Sequence, residues 1–189
     1  MTKVFIGGSR KMTSLNKDIK GRLDNIIQKE YSVLIGDASG ADKSVQKYLF
    51  DKGYRNVNVF CMGNECRNNI GNWKTKHITE TTNRKDYHYY SIKDLKMASE
   101  TDYGFMIWDG KSKGTLNNII NLLKEHKKVL VYFSPNKEFY KLITFDDLEK
   151  LLTRCEKKFL EIFEGKFKIS QISKKEQHLK QELNLTQKV

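Results

Sequence analysis

The stretch Trp108-Asp109-Gly110-Lys111-Ser112-Lys113-Gly114-Thr115 combines glycines, hydroxyls and cations in a short space, the residue types that hold an anion. Two further stretches share the pattern: Gly7-Gly8-Ser9-Arg10 near the start, and Gly36-Asp37-Ala38-Ser39-Gly40-Ala41-Asp42. Glycines let backbone N–H groups approach a phosphate closely, and a helix N-terminus adds partial positive charge. Arg10 can give a bidentate contact to phosphate or carboxylate, and Ser9, Ser112 and Thr115 add hydroxyls. The candidate ligand-binding set is Gly7, Gly8, Ser9, Arg10, Gly36, Gly40, Asp42, Asp109, Gly110, Lys111, Ser112, Gly114, Thr115 and Asn118.

Two standard phosphate motifs do not fit. A P-loop requires a glycine five residues before Gly110, where Phe105 stands, and the second stretch has Ala41 where the second glycine is needed. The dinucleotide fingerprint G-x-G-x-x-G is missing after the first stretch. ATP hydrolysis and nicotinamide redox chemistry are therefore not expected, and no cofactor is called for.

Each small-residue stretch follows a short apolar run. The five runs are Val4–Ile6, Ser32–Ile35, Val57–Cys61, Gly104–Trp108 and Lys128–Phe133, rich in Val, Ile, Phe and Tyr as strands buried on both faces are. Helical periodicity lies between them: Ser14–Glu30, Ala41–Lys52, about Asp86–Glu100 and Thr115–Glu125. This alternation predicts an α/β fold, a Rossmann-like open parallel sheet of order 3-2-1-4-5 with helices on both faces. In that order the first and third small-residue stretches face each other across the crevice where strand order reverses.

From Pro135, the single proline, the pattern changes. Residues 144–163 carry one apolar stripe (Leu148, Leu151, Leu152, Cys155, Phe159, Phe163) and read as a single amphipathic helix with Thr144 as N-cap and Asp147 three residues on. The expected organisation is a nucleotide-binding core over 1–133 and a C-terminal helical extension over 134–189. The stripe reads first as core and second as a homo-oligomer contact. The tail 174–189 is mostly polar.

The chain has 189 residues and a formal net charge of +12. That excess suggests an anionic partner, although acidic residues interleave with the basic ones. No nucleic-acid-binding signature is present, so a nucleotide-derived small molecule is favoured over nucleic acid. No apolar run approaches the ~20 residues of a membrane span, and the expectation is a cytoplasmic protein. Three cysteines, Cys61, Cys66 and Cys155, argue against a disulfide framework and too weakly for a zinc site; free thiols and no metal are expected. The stretch from Cys66 to Glu80 is long and polar, and Arg67, Asn68, Asn69 and Trp73 are candidates for a lid. Tyr87, Tyr89 and Tyr90 read as packing or surface residues, and no histidine has triad spacing.

"VFIGGSR", "LIGDASGADKSVQKYL" and "TDYGFMIWDGKSKGTLNNI", in that order, resemble the SLOG superfamily over about residues 3–133. That superfamily includes DNA-processing and Lonely Guy type proteins, bacterial proteins long misnamed lysine decarboxylases, and sensor domains of antiphage systems. The branch most similar in pattern is the YspA-like one, with its "GSR" and "GxxxGAD" loops. The resemblance implies a Rossmann-like fold and a nucleotide or ADP-ribose-like ligand. Lonely Guy enzymes carry a glutamate in a "GGxGTxxE" loop that helps cleave the base–ribose bond; here Asn118 stands at that position, and an amide can be neither general base nor carboxylate nucleophile. The expectation is a protein that senses or sequesters a signalling nucleotide, ADP-ribose-like or cyclic, without cleaving it and with no catalytic residue. The alternative is a nucleoside or nucleotide N-glycosidase with a displaced acid, Asp109 or Asp42. A nucleic-acid-associated protein comes third.

Overall fold

The strands at the centre are apolar on both faces, and this decides the architecture. The computed structural model describes residues 1–79, 87–175 and 178. Its elements are β1 (Lys3–Gly8), α1 (Lys17–Gln28), β2 (Ser32–Gly36), α2 (Ala41–Asp51), β3 (Val57–Met62), β4 (Lys74–Ile78), α3 (Tyr87–Glu100), β5 (Tyr103–Trp108), α4 (Lys113–Lys124), β6 (Lys128–Phe133), β7 (Glu138–Leu142), α5 (Phe145–Leu152) and α6 (Lys157–Phe167). One seven-stranded sheet has the order β4-β3-β2-β1-β5-β6-β7, parallel except for the antiparallel β6–β7 pair. The five expected strands occupy its centre in the expected order.

Successive side chains of a strand face opposite layers. Val4 and Ile6 of β1 pack with Ile19, Leu23 and Ile26 of α1 and Val45 and Leu49 of α2. Phe5, between them, packs on the other face with Met97 of α3, Leu116 and Ile120 of α4, Leu148 of α5 and Phe163 of α6. Gly8 of β1 pairs with Ile107 of β5, so the carboxyl ends of these neighbouring strands, and the loops that leave them, lie side by side.

Two strands were not legible as apolar runs. β4 (KTKHI) has only exposed and half-buried residues, and β7 (EFYKL) is mostly exposed. Both are edge strands, where charge blunts pairing with other chains. The segment after 134, expected to be helical, thus begins with a strand joined to the sheet. Its single long helix is also corrected: α5 ends at Leu152 and α6 begins at Lys157, with Glu156 as N-cap. The stripe itself is sound, because Leu148, Leu151 and Phe163 are all buried in one cluster; the break comes where the Arg154 and Cys155 N–H groups turn back to the Leu151 and Leu152 carbonyls, closing α5 in a tighter turn. Thr144 caps α5 with the expected reciprocal bonds to Asp147, 3.3 Å to its N–H and 3.0 Å from the Thr144 N–H to its carboxylate. The tail beyond Lys175 lies outside the described residues except for His178, and the side chain of Tyr87 lies outside them as well.

Cys61 and Cys66 are not free thiols. They form a disulfide, with Cα atoms 5.1 Å apart, because the chain turns back at Gly63 (φ +74°) after β3. Cys155 is free and buried. No helix among the described residues is long and apolar enough to cross a membrane.

Phe163 is fully buried against Trp108, ring centroids 5.9 Å apart. Replacing it with alanine is expected to lower stability by about 3–5 kcal/mol, read by urea denaturation. A loss under about 1 kcal/mol would mean that α6 rests on the sheet without belonging to its core.

Candidate functional site

Three loops leave the carboxyl ends of β1, β2 and β5, and backbone and side-chain contacts tie them together. Ser9 is the junction. Its hydroxyl donates to Asp109 Oδ1 at 2.9 Å, accepts from the Asp109 N–H at 3.1 Å and lies 3.3 Å from Thr115 Oγ1. Its carbonyl accepts from the Ala41 N–H at 3.2 Å. Gly40, at φ +78°, lies so close to Arg10 that a Cβ there would come within 2.1 Å of the Arg10 carbonyl oxygen. Asp109 Oδ1 also accepts from the Lys111 and Ser112 N–H groups, at 3.0 and 2.8 Å. Ser112 caps α4, accepting from the Thr115 N–H at 3.3 Å and the Thr115 hydroxyl at 3.0 Å. The hydroxyls and the Asp109 carboxylate read from sequence as ligand groups are thus engaged with one another, and they fix the loops.

What these loops enclose is a cleft of about 680 Å³. Of the residues singled out from sequence, Gly7, Gly8, Arg10, Asp42, Asp109, Lys111, Ser112, Gly114, Thr115 and Asn118 line it. Ser9, Gly36, Gly40 and Gly110 stand behind the lining. Gly110 makes the turn at φ +72° against Phe133. The α4 helix begins two residues earlier than its periodicity suggested, so Lys113 and Gly114 form its first turn. Their N–H groups have no intrahelical acceptor, as at any helix start, and face the anion-favouring end of the dipole. Arg10, Lys11, Lys111 and Lys113 are exposed at the rim. Lys111 is tied to Glu156 at 2.6 Å, which raises its pKa.

The floor is different. Lys93, nine-tenths buried on α3, donates to Asp94 Oδ1 at 2.9 Å. Asp42 opens α2 and accepts from the Ala38 N–H at 3.3 Å. A Cβ at Gly36 would fall 2.6 Å from Asp42 Oδ2 and 2.8 Å from Lys93 Nζ, so a glycine there makes room for both. Burial pushes the Asp42 carboxyl up; Lys93 pulls it down, Asp94 pushes it up again, and it settles at about 7. Burial pulls Lys93 down, but the charges of Asp94 and Asp42 outweigh it and keep the ammonium above its usual range. Asn118, on α4, donates to Asp94 Oδ2 at 3.0 Å and to the Gly114 carbonyl at 3.3 Å once its amide is oriented to satisfy both.

Arg67 closes one wall. Its guanidinium grips the buried Asp37 carboxylate through Nη2 at 2.6 Å and Nε at 3.0 Å, and its N–H adds a bond of 3.1 Å. Burial would raise Asp37, but these bonds, with the charges of Lys93 and Arg67, hold it below its usual value. The Arg67 guanidinium also lies over the Tyr90 ring, 4.6 Å from its centroid. Trp73 is not part of a lid: it is buried beneath α2 and β3, and its indole N–H donates to the Tyr54 carbonyl at 2.9 Å. Asn69 holds the Trp73 backbone at both ends, and Asn68 bonds the Asp37 carbonyl. Lys93 and Asp94 are not singled out by the sequence, and Tyr90 and Phe159 read there as packing or surface residues, since nothing local marks a mid-helix residue as facing a distant loop.

Among the described residues no group of His, Cys, Asp and Glu is placed to hold a metal ion. No family model matches the sequence, and no curated protein matches it. Among solved structures, the chain is similar to DNA processing protein A (DprA) from Streptococcus pneumoniae, with 15% identity and a TM-score of 0.47 over 69% of this chain and 50% of that one. The chain therefore spans about half the length of that protein.

The carboxyl of Asp42 makes stability depend on pH. Between its unfolded value of about 4 and its folded value of about 7, the folded protein keeps a proton that the unfolded chain has released. Asp42 therefore favours folding at low pH, and this contribution falls as pH rises from about 4 to 7. Melting temperatures of wild type and Asp42→Asn, compared at pH 5 and pH 8, should show a larger fall in wild type; parallel falls would contradict the shift.

Proposed function

We propose that the cleft binds a nucleotide-derived ligand, ADP-ribose-like or a cyclic nucleotide signal, and that the protein senses or sequesters it. One observation carries this reading: the Gly7–Arg10 and Asp109–Thr115 loops face each other over a 680 Å³ cleft rimmed by Arg10, Lys11, Lys111 and Lys113. That volume is within the range of small-molecule sites. The ligand's phosphate sits at the rim, on Arg10, Lys113 and the first N–H groups of α4, and its sugar points to the floor. Membership of the SLOG superfamily, in its YspA-like branch, is part of the proposal. The resemblance of the three loops to that family's sensor domains supports the signalling role.

A second reading, hydrolysis of the base–ribose bond, is favoured by the floor. Asn118 supplies no acid, yet Asp94 Oδ2 lies 3.0 Å from its amide, and burial raises the Asp42 carboxyl to about 7. A carboxyl raised toward neutral pH in a cleft is suited to general acid–base work. Asp109, the other candidate from sequence, is bonded to Ser9 and the loop amides.

The two readings separate in one experiment. Wild type is heated with a panel of AMP, cyclic AMP and ADP-ribose, then denatured, and the released compounds are chromatographed. Binding raises the melting temperature, by the equivalent of about 2.7 kcal/mol at a hundredfold excess over Kd. Arg10→Ala, at an exposed position, should weaken binding by about 10- to 100-fold without altering the unliganded melting temperature. Intact compound supports retention, and free base supports hydrolysis. No shift with any member of the panel would refute both.

A further inference from the structure

An aromatic stack runs from the centre of the core to the cleft. Trp108 ends β5 fully buried and anchors the third loop by donating its indole N–H to the Ser112 carbonyl at 3.1 Å. Phe163 packs against it at 5.9 Å between centroids and 40° between planes. Phe159 follows, 6.1 Å from Phe163 and tilted by 29°. The first two rings are buried, while Phe159 is half-buried and lines the cleft. A stack of rings thus ends at an aromatic side chain on the cavity wall.

Two ammonium groups lie over that last ring: Lys111 Nζ at 5.4 Å and Lys158 Nζ at 5.1 Å from its centroid. Both are bonded to Glu156, at 2.6 and 3.1 Å. A phosphate bound at the rim would compete with Glu156 for Lys111, and movement of that side chain toward it would vacate one of the two cation positions on the ring. A flat heteroaromatic ring then replaces an ammonium on the π face, extending the stack by one member.

We propose that Phe159 is the specificity-determining residue of the cleft and receives the planar base of the nucleotide whose phosphate the loops hold. The inference rests on the nucleotide reading of the site and adds to it a base-binding wall supplied by α6. The cleft then discriminates a nucleotide from a sugar phosphate that has the same anionic end. Stacking of a base on an aromatic side chain is sequence-tolerant, so the preference is for a planar base in general.

The test compares AMP with ribose 5-phosphate on the full chain, by calorimetry or by ligand-observed NMR. Wild type should bind AMP about 10- to 100-fold more tightly than ribose 5-phosphate. Phe159→Leu keeps an apolar side chain against Phe163 but has no π face, and should bring the two affinities together by weakening AMP alone. Phe159→Trp should keep the AMP preference. Circular dichroism and melting curves establish that each variant is folded. The proposal is overturned if Phe159→Leu retains the AMP preference, or if it weakens both compounds equally. Wild type that binds ribose 5-phosphate and AMP equally removes the base wall but leaves the anion site standing; wild type that binds neither removes both.

Discussion

The arrangement of the cleft depends on the buried hydroxyl of Ser9. It joins two loops a hundred residues apart in sequence, through Asp109 and Thr115, while its carbonyl takes the first N–H of α2. Parallel strands β1 and β5 bring the loops to one edge of the sheet, but strand pairing alone leaves them free to splay. The Ser9–Asp109 clasp sets their separation. Ser9 is fully buried, so these bonds do not compete with water, and leaving one partner unsatisfied costs more than the bond itself contributes. Gly8 and Gly40 complete the constraint. A Cβ at Gly8 would lie 2.4 Å from the Ile107 carbonyl, and one at Gly40 would strike the Arg10 backbone.

On this rigid frame the charges are sorted by depth. The rim is basic and solvated, suited to attracting an anion and releasing it. The floor holds Asp37, Asp42, Lys93 and Asp94 in a buried or half-buried group whose members depend on one another. Such groups contribute little to stability compared with apolar packing, and they cluster at functional sites. Loop position and helix start explain Asp42, but Lys93 on α3 is nine-tenths buried beside it where an apolar residue would pack as well.

The centre of the fold was legible in the sequence because a parallel strand buried on both faces has no choice but to be apolar, and a run such as Val33-Leu34-Ile35 shows it directly. The edge strands were hidden by the same physics: Lys74–Ile78 and Glu138–Leu142 meet water and carry its composition. The loops of the cleft were legible through their glycines, yet the division of labour within them was not. Ser9 and Asp109 have the chemistry of ligand-binding residues, and only the fold reveals that they bond each other. Lys93, Asp94 and Phe159 reach the cleft from helices whose periodicity reports a buried face without saying what that face meets. The Cys61–Cys66 disulfide was missed because the spacing alone does not reveal the reversal at Gly63 that brings the two together.

The central claim is that the glycine loops of β1 and β5 form one anion-binding surface. Backbone amide NMR during titration with AMP tests it most directly. The account predicts saturable shifts concentrated at Gly8, Arg10, Lys113 and Gly114, together with Phe159 on the facing helix. Shifts spread evenly over the lysine-rich surface, or concentrated at the other end of the sheet around Arg22, Tyr31 and Tyr103, would contradict it.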